Sequence, residues 1–361
     1  MKLLRCLALV VLLALGLTGC DNKTISKIEN EPDYVQLTGD IYTIYQEASK
    51  GCIGVFTKNS DDSYSSGSAV LYKYENGIYY AVTNHHVIEG ATIVRAYLGN
   101  NYYFEATVLG SDEKNDIAVI TFEIGNKYLE KNLFDLVLHD IFNYEYEDLV
   151  KIGQNVLVIG CPLGLDNFNN LSTGVVSDVK DDKITTDAAL NPGNSGGGIF
   201  NTAGRLIGII NAKEVWRTTE TGQIPVEGRG YAISLNTVKE CIKDIEKYGG
   251  EIQRPILGVY SSAVNILLPE NENFAKFQDY LPTDIDRIFY VVVDSFSSEE
   301  SVAKKYGLLE NDVILYVDSV EITSLKSISY VLNLKTMDEN IVLTVYRKST
   351  NSISDITIYF V

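Results

Sequence analysis

The chain has 361 residues, of which 45% are hydrophobic and 22% are charged, a composition typical of globular proteins that excludes wholesale disorder. This length exceeds one ordinary domain and predicts two or three. Acidic residues outnumber basic ones, 48 to 30, and the net charge of −18 argues against a general nucleic-acid binder, which needs a basic surface. Five cysteines are too few for a disulfide scaffold.

The amino terminus has the pattern of an export signal. Basic residues precede an apolar run over residues 7–17, which is shorter than the roughly 20 residues that span a bilayer. The next residues, Leu17-Thr18-Gly19-Cys20, resemble the lipobox of bacterial lipoproteins, in which the cysteine is lipidated. We therefore expect a lipoprotein signal peptide over residues 1–19, a lipid anchor on Cys20 and a polar tether over residues 20–36. A plain secretory signal or a buried helix is the alternative.

Residues 37–248 have the pattern of a β domain. After a short helix near residues 37–49, the chain consists of short apolar runs separated by turn residues. Asn76-Gly77 predicts one hairpin and Gly99-Asn100-Asn101 predicts another. The acidic, tyrosine-rich residues 124–147 fit no element, and we expect them to form an insertion or a long loop.

A helix ends this domain, and a second domain follows it. Apolar residues spaced 3, 4 and 3 apart predict the helix from Leu235 onward, with Thr237 and Glu240 as a capping box and a glycine pair at its end. We expect a linker over residues 249–255. Residues 256–361 are predicted to form a second domain of strands and short helices.

Three segments carry residues that together suggest nucleophilic catalysis. Thr83–Val87 contains a histidine pair, Asn115–Val119 an aspartate, and Thr186–Gly197 a serine in a glycine-rich turn. A serine hydroxyl becomes a nucleophile when a neutral imidazole accepts its proton and a carboxylate holds that imidazole in one tautomer. Glycines let backbone N–H groups turn towards a tetrahedral oxyanion. Each segment alone is typical of an ordinary turn or strand end, whereas their joint occurrence in the order His, Asp, Ser favours a catalytic triad.

These segments resemble the HtrA/Deg family of trypsin-like serine proteases, and the resemblance extends over residues 38–361. The first segment is similar to the family motif T-N-x-H-V, whose base falls on His86; Asp116 matches the acid and Ser195 the nucleophile. The resemblance implies a mainly β fold. The implied fold is a chymotrypsin-like double β-barrel, in which the active-site cleft lies between two six-stranded barrels. A C-terminal PDZ domain of α+β type is expected to follow.

The resemblance also assigns the residues around the nucleophile. It places the oxyanion hole at the backbone N–H groups of Gly193, Asn194 and Ser195. It places part of the primary specificity pocket at Ala188, Ala189 and Leu190. With no aspartate there to pair with Arg or Lys, the pocket favours a small aliphatic residue. Asn194 stands where secreted digestive relatives have Asp, so an ion pair with a newly cut amino terminus is not expected.

Residues 256–361 resemble one PDZ domain. The stretch Ile256-Leu257-Gly258-Val259 is similar to the loop that holds a peptide's terminal carboxylate with backbone N–H groups. Such a domain adds an extended peptide as an extra strand beside a helix, here the helix predicted over residues 325–334. A β-rich domain that merely braces the protease is the alternative.

The sequence therefore predicts an extracytoplasmic, lipid-anchored serine endopeptidase that cleaves misfolded or regulatory envelope proteins and is regulated by peptides bound to its PDZ domain. Its expected partners are unfolded or carboxy-terminal segments of proteins, a membrane through the lipid anchor, and further copies of the chain in a homotrimer, but no nucleic acid. No metal or organic cofactor is expected, since the histidine pair lacks the H-E-x-x-H spacing. A proteolytically silent peptide-binding or holdase protein is the alternative.

Three cysteines are either free thiols or one disulfide pair and one unpaired thiol: Cys52, Cys161 and Cys241.

Overall fold

The computed structural model describes residues 40–360, apart from residues 130, 132, 145–148, 181–182, 212–215, 220–221 and 226–227. The expected signal peptide, the tether and Cys20 lie outside the described residues. The fold is mainly β, as the sequence predicts. It begins with helix α1 (Ile41–Ala48), whose N-cap Asp40 accepts a hydrogen bond from the backbone N–H of Thr43 at 2.9 Å.

The first barrel consists of six antiparallel strands: β1 (Cys52–Asn59), β2 (Tyr64–Glu75), β3 (Ile78–Thr83), β4 (Ala91–Tyr97), β5 (Tyr103–Asp112) and β6 (Ile117–Glu123). Their order is β5-β4-β1-β2-β3-β6, and the pairing of β5 with β6 closes the barrel. The hairpin predicted at Asn76-Gly77 joins β2 to β3, and both residues have the positive φ angles that such a turn requires, 53° and 88°. A single-turn helix, α2 (His85–Ile88), follows β3.

The second barrel is also closed and six-stranded. Its strands are β7 (Asn155–Gly160), β8 (Asn170–Lys180), β9 (Lys183–Thr186), β10 (Gly198–Asn201), β11 (Leu206–Ile210) and, after the hairpin of β12 (Trp216–Thr219) and β13 (Gly222–Pro225), β14 (Gly230–Ser234). The order around this barrel is β10-β11-β14-β9-β8-β7. The two barrels expected from the family resemblance are therefore present.

The segment between the barrels contains little regular structure in its described part. One short helix, α3 (Asn126–Leu129), is followed by described residues up to Tyr144 that have no helix or strand. These residues are nevertheless anchored, because Ile141 is 1% exposed and His139 is 6% exposed. The long loop predicted over residues 124–147 thus contributes side chains to the core.

Helix α4 (Leu235–Tyr248) follows the second barrel and joins the two barrels through its apolar face. Val238, Ile242 and Ile245 are fully buried in a cluster that contains side chains from both barrels. Burying an aliphatic side chain of this size stabilises the fold by about 1.5–3 kcal/mol. The capping box predicted at Thr237 and Glu240 is wrong, because the N-cap is Ser234, whose side chain accepts from the N–H of Thr237.

The stretch expected to be a linker, residues 249–255, is packed rather than loose. Gly250–Glu251 form the short strand β15, which pairs in parallel with β5 of the first barrel. Arg254 is only 7% exposed. The connection to the carboxy-terminal domain is therefore part of the folded core.

The carboxy-terminal domain is one sheet with helices on both faces. Its strands are β16 (Val259–Asn265), β17 (Phe289–Phe296), β18 (Val313–Val317), β19 (Val320–Glu321), β20 (Asn340–Arg347) and β21 (Ser352–Tyr359), and its helices are α5 (Glu272–Phe277), α6 (Val302–Lys305) and α7 (Leu325–Asn333). The order β16-β17-β18-β20-β21 leaves β16 at an edge, and α7 contacts that strand. Across the described part of the chain, no helix has the length and apolar character needed to cross a membrane.

Candidate active site

His86 and Asp116 meet at the ends of two paired strands of the first barrel. His86 lies in α2, directly after β3, and Asp116 lies directly before β6. The Nδ1 atom of His86 is 2.7 Å from Oδ2 of Asp116 and 3.0 Å from Oδ1, and the backbone N–H of His86 donates to Oδ1 at 3.0 Å. The carboxylate therefore fixes the ring and the nitrogen that carries its proton, and Nε2 faces away from Asp116. His85 is not part of this contact, and no described residue hydrogen-bonds to its buried Nδ1.

Asp116 has an unusual backbone conformation that its neighbours hold in place. Its φ angle is +54°, in the left-handed region that costs a residue with a Cβ about 1 kcal/mol. The side-chain amide of Asn84 donates to the Asp116 carbonyl at 2.9 Å. The amide of Asn211, which follows β11 of the second barrel, donates to Oδ2 of Asp116 at 2.9 Å. The sequence assigned no role to Asn211, because its partner is 95 residues away and only the closed barrels bring the two together.

Ser195 lies in the loop between β9 and β10, and this loop is tied to the first barrel by Ser68. The backbone N–H of Ser68 donates to the carbonyl of Ser195 at 2.8 Å, and the Ser68 hydroxyl donates to the carbonyl of Gly193 at 2.8 Å. The neighbouring Gly67 has no space for a side chain, since an added Cβ would lie 2.7 Å from Val87 and 3.2 Å from the Ser195 carbonyl oxygen. Ser195 is therefore held beside the helix turn that carries the base.

Gly193 adopts a conformation that only glycine can provide at this point. Its φ angle is +99°, and an added Cβ would lie 2.3 Å from the carbonyl oxygen of Cys161. The carbonyl of Pro192 accepts from the N–H of Leu163 at 2.7 Å. Since the N–H and C=O of a trans peptide point in opposite directions, the N–H of Gly193 points away from Leu163. This orientation suits a donor that must be fixed before an oxyanion forms.

Asn194 does not have the geometry expected of an oxyanion-hole donor. Its backbone N–H donates to the carbonyl of Asn191 at 3.0 Å, and its carbonyl accepts from Gly197 at 2.8 Å. Both groups are therefore used to close the turn, and the residue is 3% exposed. We correct the expectation for this residue and keep Gly193 and Ser195 as the expected donors.

The residues expected to line the specificity pocket have different environments. Ala188 is 3% exposed, Ala189 is exposed, and Leu190 is half-buried. Leu190 packs over Gly230 of β14, where an added Cβ would lie 2.4 Å from the Leu190 Cδ1 atom. The carboxylate of Asp187 accepts from the N–H of Val175 at 2.7 Å and is thus engaged with β8. The described side chains expected to line this pocket, at Ala188, Ala189 and Leu190, are apolar.

All three cysteines of the described chain are free and buried: Cys52, Cys161 and Cys241. Burial raises the pKa of all three thiols. A thiol that stays protonated is a weak nucleophile, so none of them competes with a serine for this role. Among the described side chains, no group of three or more His, Cys, Asp or Glu residues is arranged to hold a metal ion.

In the stretch Ile256-Leu257-Gly258-Val259, two consecutive carbonyl groups are hydrogen-bonded to residues that follow β17. The carbonyl of Leu257 accepts from the hydroxyl of Ser301 at 3.0 Å, and the carbonyl of Gly258 accepts from the N–H of Ser297 at 2.9 Å. The N–H groups of Gly258 and Val259 therefore point to the opposite side, at the start of edge strand β16. Ile256 is 69% exposed, whereas Leu257 is buried.

Known proteins are similar to this chain in both sequence and architecture. Residues 67–209 match the family described as Trypsin-like peptidase domain. Serine protease Do-like HtrA of Lactococcus lactis is 31% identical over 306 residues, which are 81% of this chain and 70% of that protein. Serine protease Do-like HtrA of Bacillus subtilis is 31% identical over 289 residues, which are 75% of this chain and 59% of that protein. The solved HtrA-type protease AlgW with tripeptide has a TM-score of 0.63 at 26% identity, over 88% of this chain and 95% of that one.

Proposed function

Because the chain belongs to the HtrA family of serine proteases and is a serine endopeptidase, we propose that Ser195 is its nucleophile, His86 its general base and Asp116 the acid that orients the base. The observation that carries this assignment is the tie between the barrels. Asn211 of the second barrel bonds the carboxylate that holds His86, and Ser68 of the first barrel bonds the Ser195 carbonyl. These contacts support a single site built from both barrels.

The proposed reaction is acyl transfer to Ser195. The Ser195 oxygen attacks the carbonyl carbon of a peptide bond, and its proton passes to Nε2 of His86. The tetrahedral oxyanion accepts hydrogen bonds from the N–H groups of Gly193 and Ser195. The C–N bond then breaks, and the leaving amine takes the proton from His86. Water hydrolyses the acyl-enzyme by the same steps in reverse, with His86 again as the base.

We propose that the enzyme cleaves after small aliphatic residues in misfolded or regulatory envelope proteins. The apolar wall of Leu190 over Gly230 supports this preference, because it offers no carboxylate to an Arg or Lys side chain. The test uses the full chain and a chemically unfolded polypeptide, with cleavage sites mapped by mass spectrometry. Cuts concentrated after Arg or Lys would contradict the preference.

The same experiment tests the nucleophile. Ser195→Ala removes the attacking oxygen, so turnover should fall on the order of a millionfold. Cleavage of the unfolded polypeptide by Ser195→Ala at a rate near wild type would refute the assignment. A protein that binds but does not cleave, the alternative considered from the sequence, would show no cuts in either form.

We infer that the carboxy-terminal domain is a PDZ domain that binds the carboxyl end of a peptide. Edge strand β16 can pair with an added strand, α7 lies beside it, and the N–H groups of Gly258 and Val259 are oriented to receive a carboxylate. The related AlgW was solved with a tripeptide, which supports peptide binding by a protein of this architecture. A peptide with a free carboxyl terminus should bind, and its amidated form should bind at least about tenfold more weakly. Equal binding of the two forms would contradict the inference.

We further propose that a lipid on Cys20 holds the enzyme on the extracytoplasmic side of a membrane, where it acts as a homotrimer. The Leu17-Thr18-Gly19-Cys20 pattern supports the anchor. Cys20→Ala should release the protein from the membrane fraction, and retention of this variant would contradict the anchor. The sedimentation mass of the released protein should be three times that of one chain, and a monomer would contradict the trimer.

A further inference from the structure

The loop that carries Asp116 is bonded to the carboxy-terminal domain at the residue just before it. The side-chain amide of Asn115 donates one hydrogen bond to Oδ2 of Asp112 at 2.7 Å and the other to the carbonyl of Asn333 at 2.6 Å. Asn333 is the last residue of α7. Both amide protons are therefore used, one within the loop and one across the domain boundary.

Arg254 also connects Asp112 to the carboxy-terminal domain, through a further set of hydrogen bonds. Arg254 donates to Oδ2 of Asp112 through Nε at 2.9 Å and through Nη2 at 2.6 Å, and it donates through Nη1 to the carbonyl of Lys335 at 3.0 Å. The side chains of Arg254 and Asp112 are 1% and 0% exposed. This ion pair is therefore shielded from solvent, and its attraction is screened little.

These contacts have a common physical cause at the end of α7. The last carbonyls of a helix have no donor within the helix and need one from elsewhere. In this chain, Asn115 and Arg254 supply donors near that end, and both are joined to the Asp112 carboxylate. The end of α7 is thus fixed to the loop between β5 and β6.

The position of Asp116 depends on this loop because of its strained backbone. Asn84 holds the carbonyl of Asp116 on one side. On the other side, the N–H of Asp116 belongs to the peptide shared with Asn115 and donates to the carbonyl of Glu113, within the same loop, at 3.2 Å. With φ at +54°, a released Asp116 can relax towards the ordinary negative region and carry its carboxylate away from His86.

We propose that Asn115 is a positioning residue for the reaction, which fixes the backbone of Asp116 by joining Asp112 to the last carbonyl of α7. This inference rests on the proposed role of Asp116. The carboxy-terminal domain thereby contributes to the geometry of the site through Asn333. A merely structural turn residue would contribute to stability and not to the rate of reaction.

The test compares Asn115→Ala with Tyr248→Phe in the full chain. Asn115→Ala keeps the backbone N–H that donates to Oδ1 of Asp112 at 3.2 Å and removes only the side-chain bonds. Tyr248→Phe removes another bond between the same domains, from the Tyr248 hydroxyl to Asp338 at 2.8 Å, which does not involve the Asp116 loop. It is therefore a matched control.

We expect Asn115→Ala to lower kcat on a peptide substrate by about 10- to 100-fold, since a displacement of about 1 Å in a catalytic group has an effect of this size. KM should stay within about twofold, because the substrate-binding surfaces are unchanged. Tyr248→Phe should leave both constants within about twofold. Asn115→Ser, whose hydroxyl keeps one donor, should lie between Asn115→Ala and wild type, and it serves in place of Asn115→Ala if that variant does not fold. The inference is overturned if kcat of Asn115→Ala stays near wild type or if Tyr248→Phe loses as much.

A second measurement does not depend on turnover. The proton shared by His86 Nδ1 and the Asp116 carboxylate should give a low-field NMR signal, because it lies in a short charge-assisted hydrogen bond. This signal should shift or disappear in Asn115→Ala and persist in Tyr248→Phe. If wild type shows the signal but cleaves nothing, the proposed function fails while the positioning role is still decided by the variants. An unchanged signal in Asn115→Ala would overturn the positioning role.

Discussion

The two barrels hold their parts of the site by different means. In the first barrel, His86 and Asp116 are fixed by side-chain hydrogen bonds to each other, to Asn84 and to Asn211. In the second barrel, the Ser195 loop is fixed mainly through its backbone, by bonds to its carbonyls and by glycines that leave no space for a side chain.

This difference has a consequence for substitutions. The positions of His86 and Asp116 depend on the hydrogen-bonding groups of side chains. A substitution that keeps the shape of a side chain but changes its donors or acceptors should therefore disrupt this part of the site. The second barrel's part depends on volume and backbone conformation, so even a single methyl group should disrupt it. Asp116→Asn tests this difference in the first barrel, and Gly193→Ala tests it in the second.

Of the substitutions that test this difference, Asp116→Asn, which keeps the shape of the side chain, is expected to have the largest effect. The amide removes the negative charge beside Nδ1 of His86 and favours the wrong tautomer, so kcat should fall by about 10⁴-fold. The measurement is single-turnover cleavage of a peptide substrate. Asp62→Asn, in an exposed turn of the same barrel, is the control and should match wild type. A loss of less than about tenfold in Asp116→Asn would mean that charge does not hold the base.

A smaller loss is expected from Gly193→Ala. The added Cβ would lie 2.3 Å from the Cys161 carbonyl oxygen, so the peptide must move and its N–H must leave the oxyanion position. We expect kcat to fall by about 10²- to 10³-fold. Gly153→Ala is the matched control, because Gly153 also has a positive φ of +87° but no heavy atom within 4 Å of an added Cβ. The control should lose about 1 kcal/mol of stability and no activity. Equal losses of activity in Gly193→Ala and Gly153→Ala would show that backbone strain at a positive φ angle, and not the volume of the added methyl group, causes the loss.

The smallest effect on activity is expected from His139→Gln, which lies outside both halves of the site. His139 is buried against Phe200, its Nε2 is 2.9 Å from the carbonyl of Ala48, and burial lowers its pKa from 6.5 to about 4. The unfolded chain therefore binds an extra proton between pH 6.5 and pH 4, and stability is lost as the pH falls through this window. Between pH 6.5 and pH 4 the free energy of unfolding should fall by about 3 kcal/mol.

Urea unfolding of wild type and His139→Gln at several pH values measures this loss. Glutamine keeps a donor for Ala48 but does not titrate, so its free energy of unfolding should change less with pH than that of wild type. Activity near neutral pH should be unchanged. Parallel pH dependences of stability for the two proteins would show that His139 is not the titrating group.

Local sequence patterns predicted much of the fold. The Asn76-Gly77 turn was predicted because only a few residue types adopt positive φ angles at both central positions. The helix from Leu235 was predicted from its apolar spacing, whereas its cap was misplaced by a few residues because Ser234 and Thr237 are both residues that favour N-caps. The double barrel came from a family resemblance and not from the spacing of strands.

The contacts between distant residues could not be predicted in this way. Asn211 and Asp116 are 95 residues apart, and Arg254 and Asp112 are 142 residues apart. No local pattern marks either pair, since their side chains meet only after the barrels have closed. Residues 249–255 looked like a linker because their glycines and polar residues are typical of one, yet strand pairing and a buried ion pair fix them.

Activation of Ser195 by His86 can be measured from the site and rate of reaction with a fluorophosphonate, which forms a covalent bond preferentially with an activated serine. Mass spectrometry of the digested adduct should find the label on Ser195 in wild type, and His86→Ala should slow the labelling by several orders of magnitude, about 10⁴-fold or more. A label on another residue, or labelling of Ser195 that proceeds equally fast without His86, would contradict the claim that the two barrels together activate this serine.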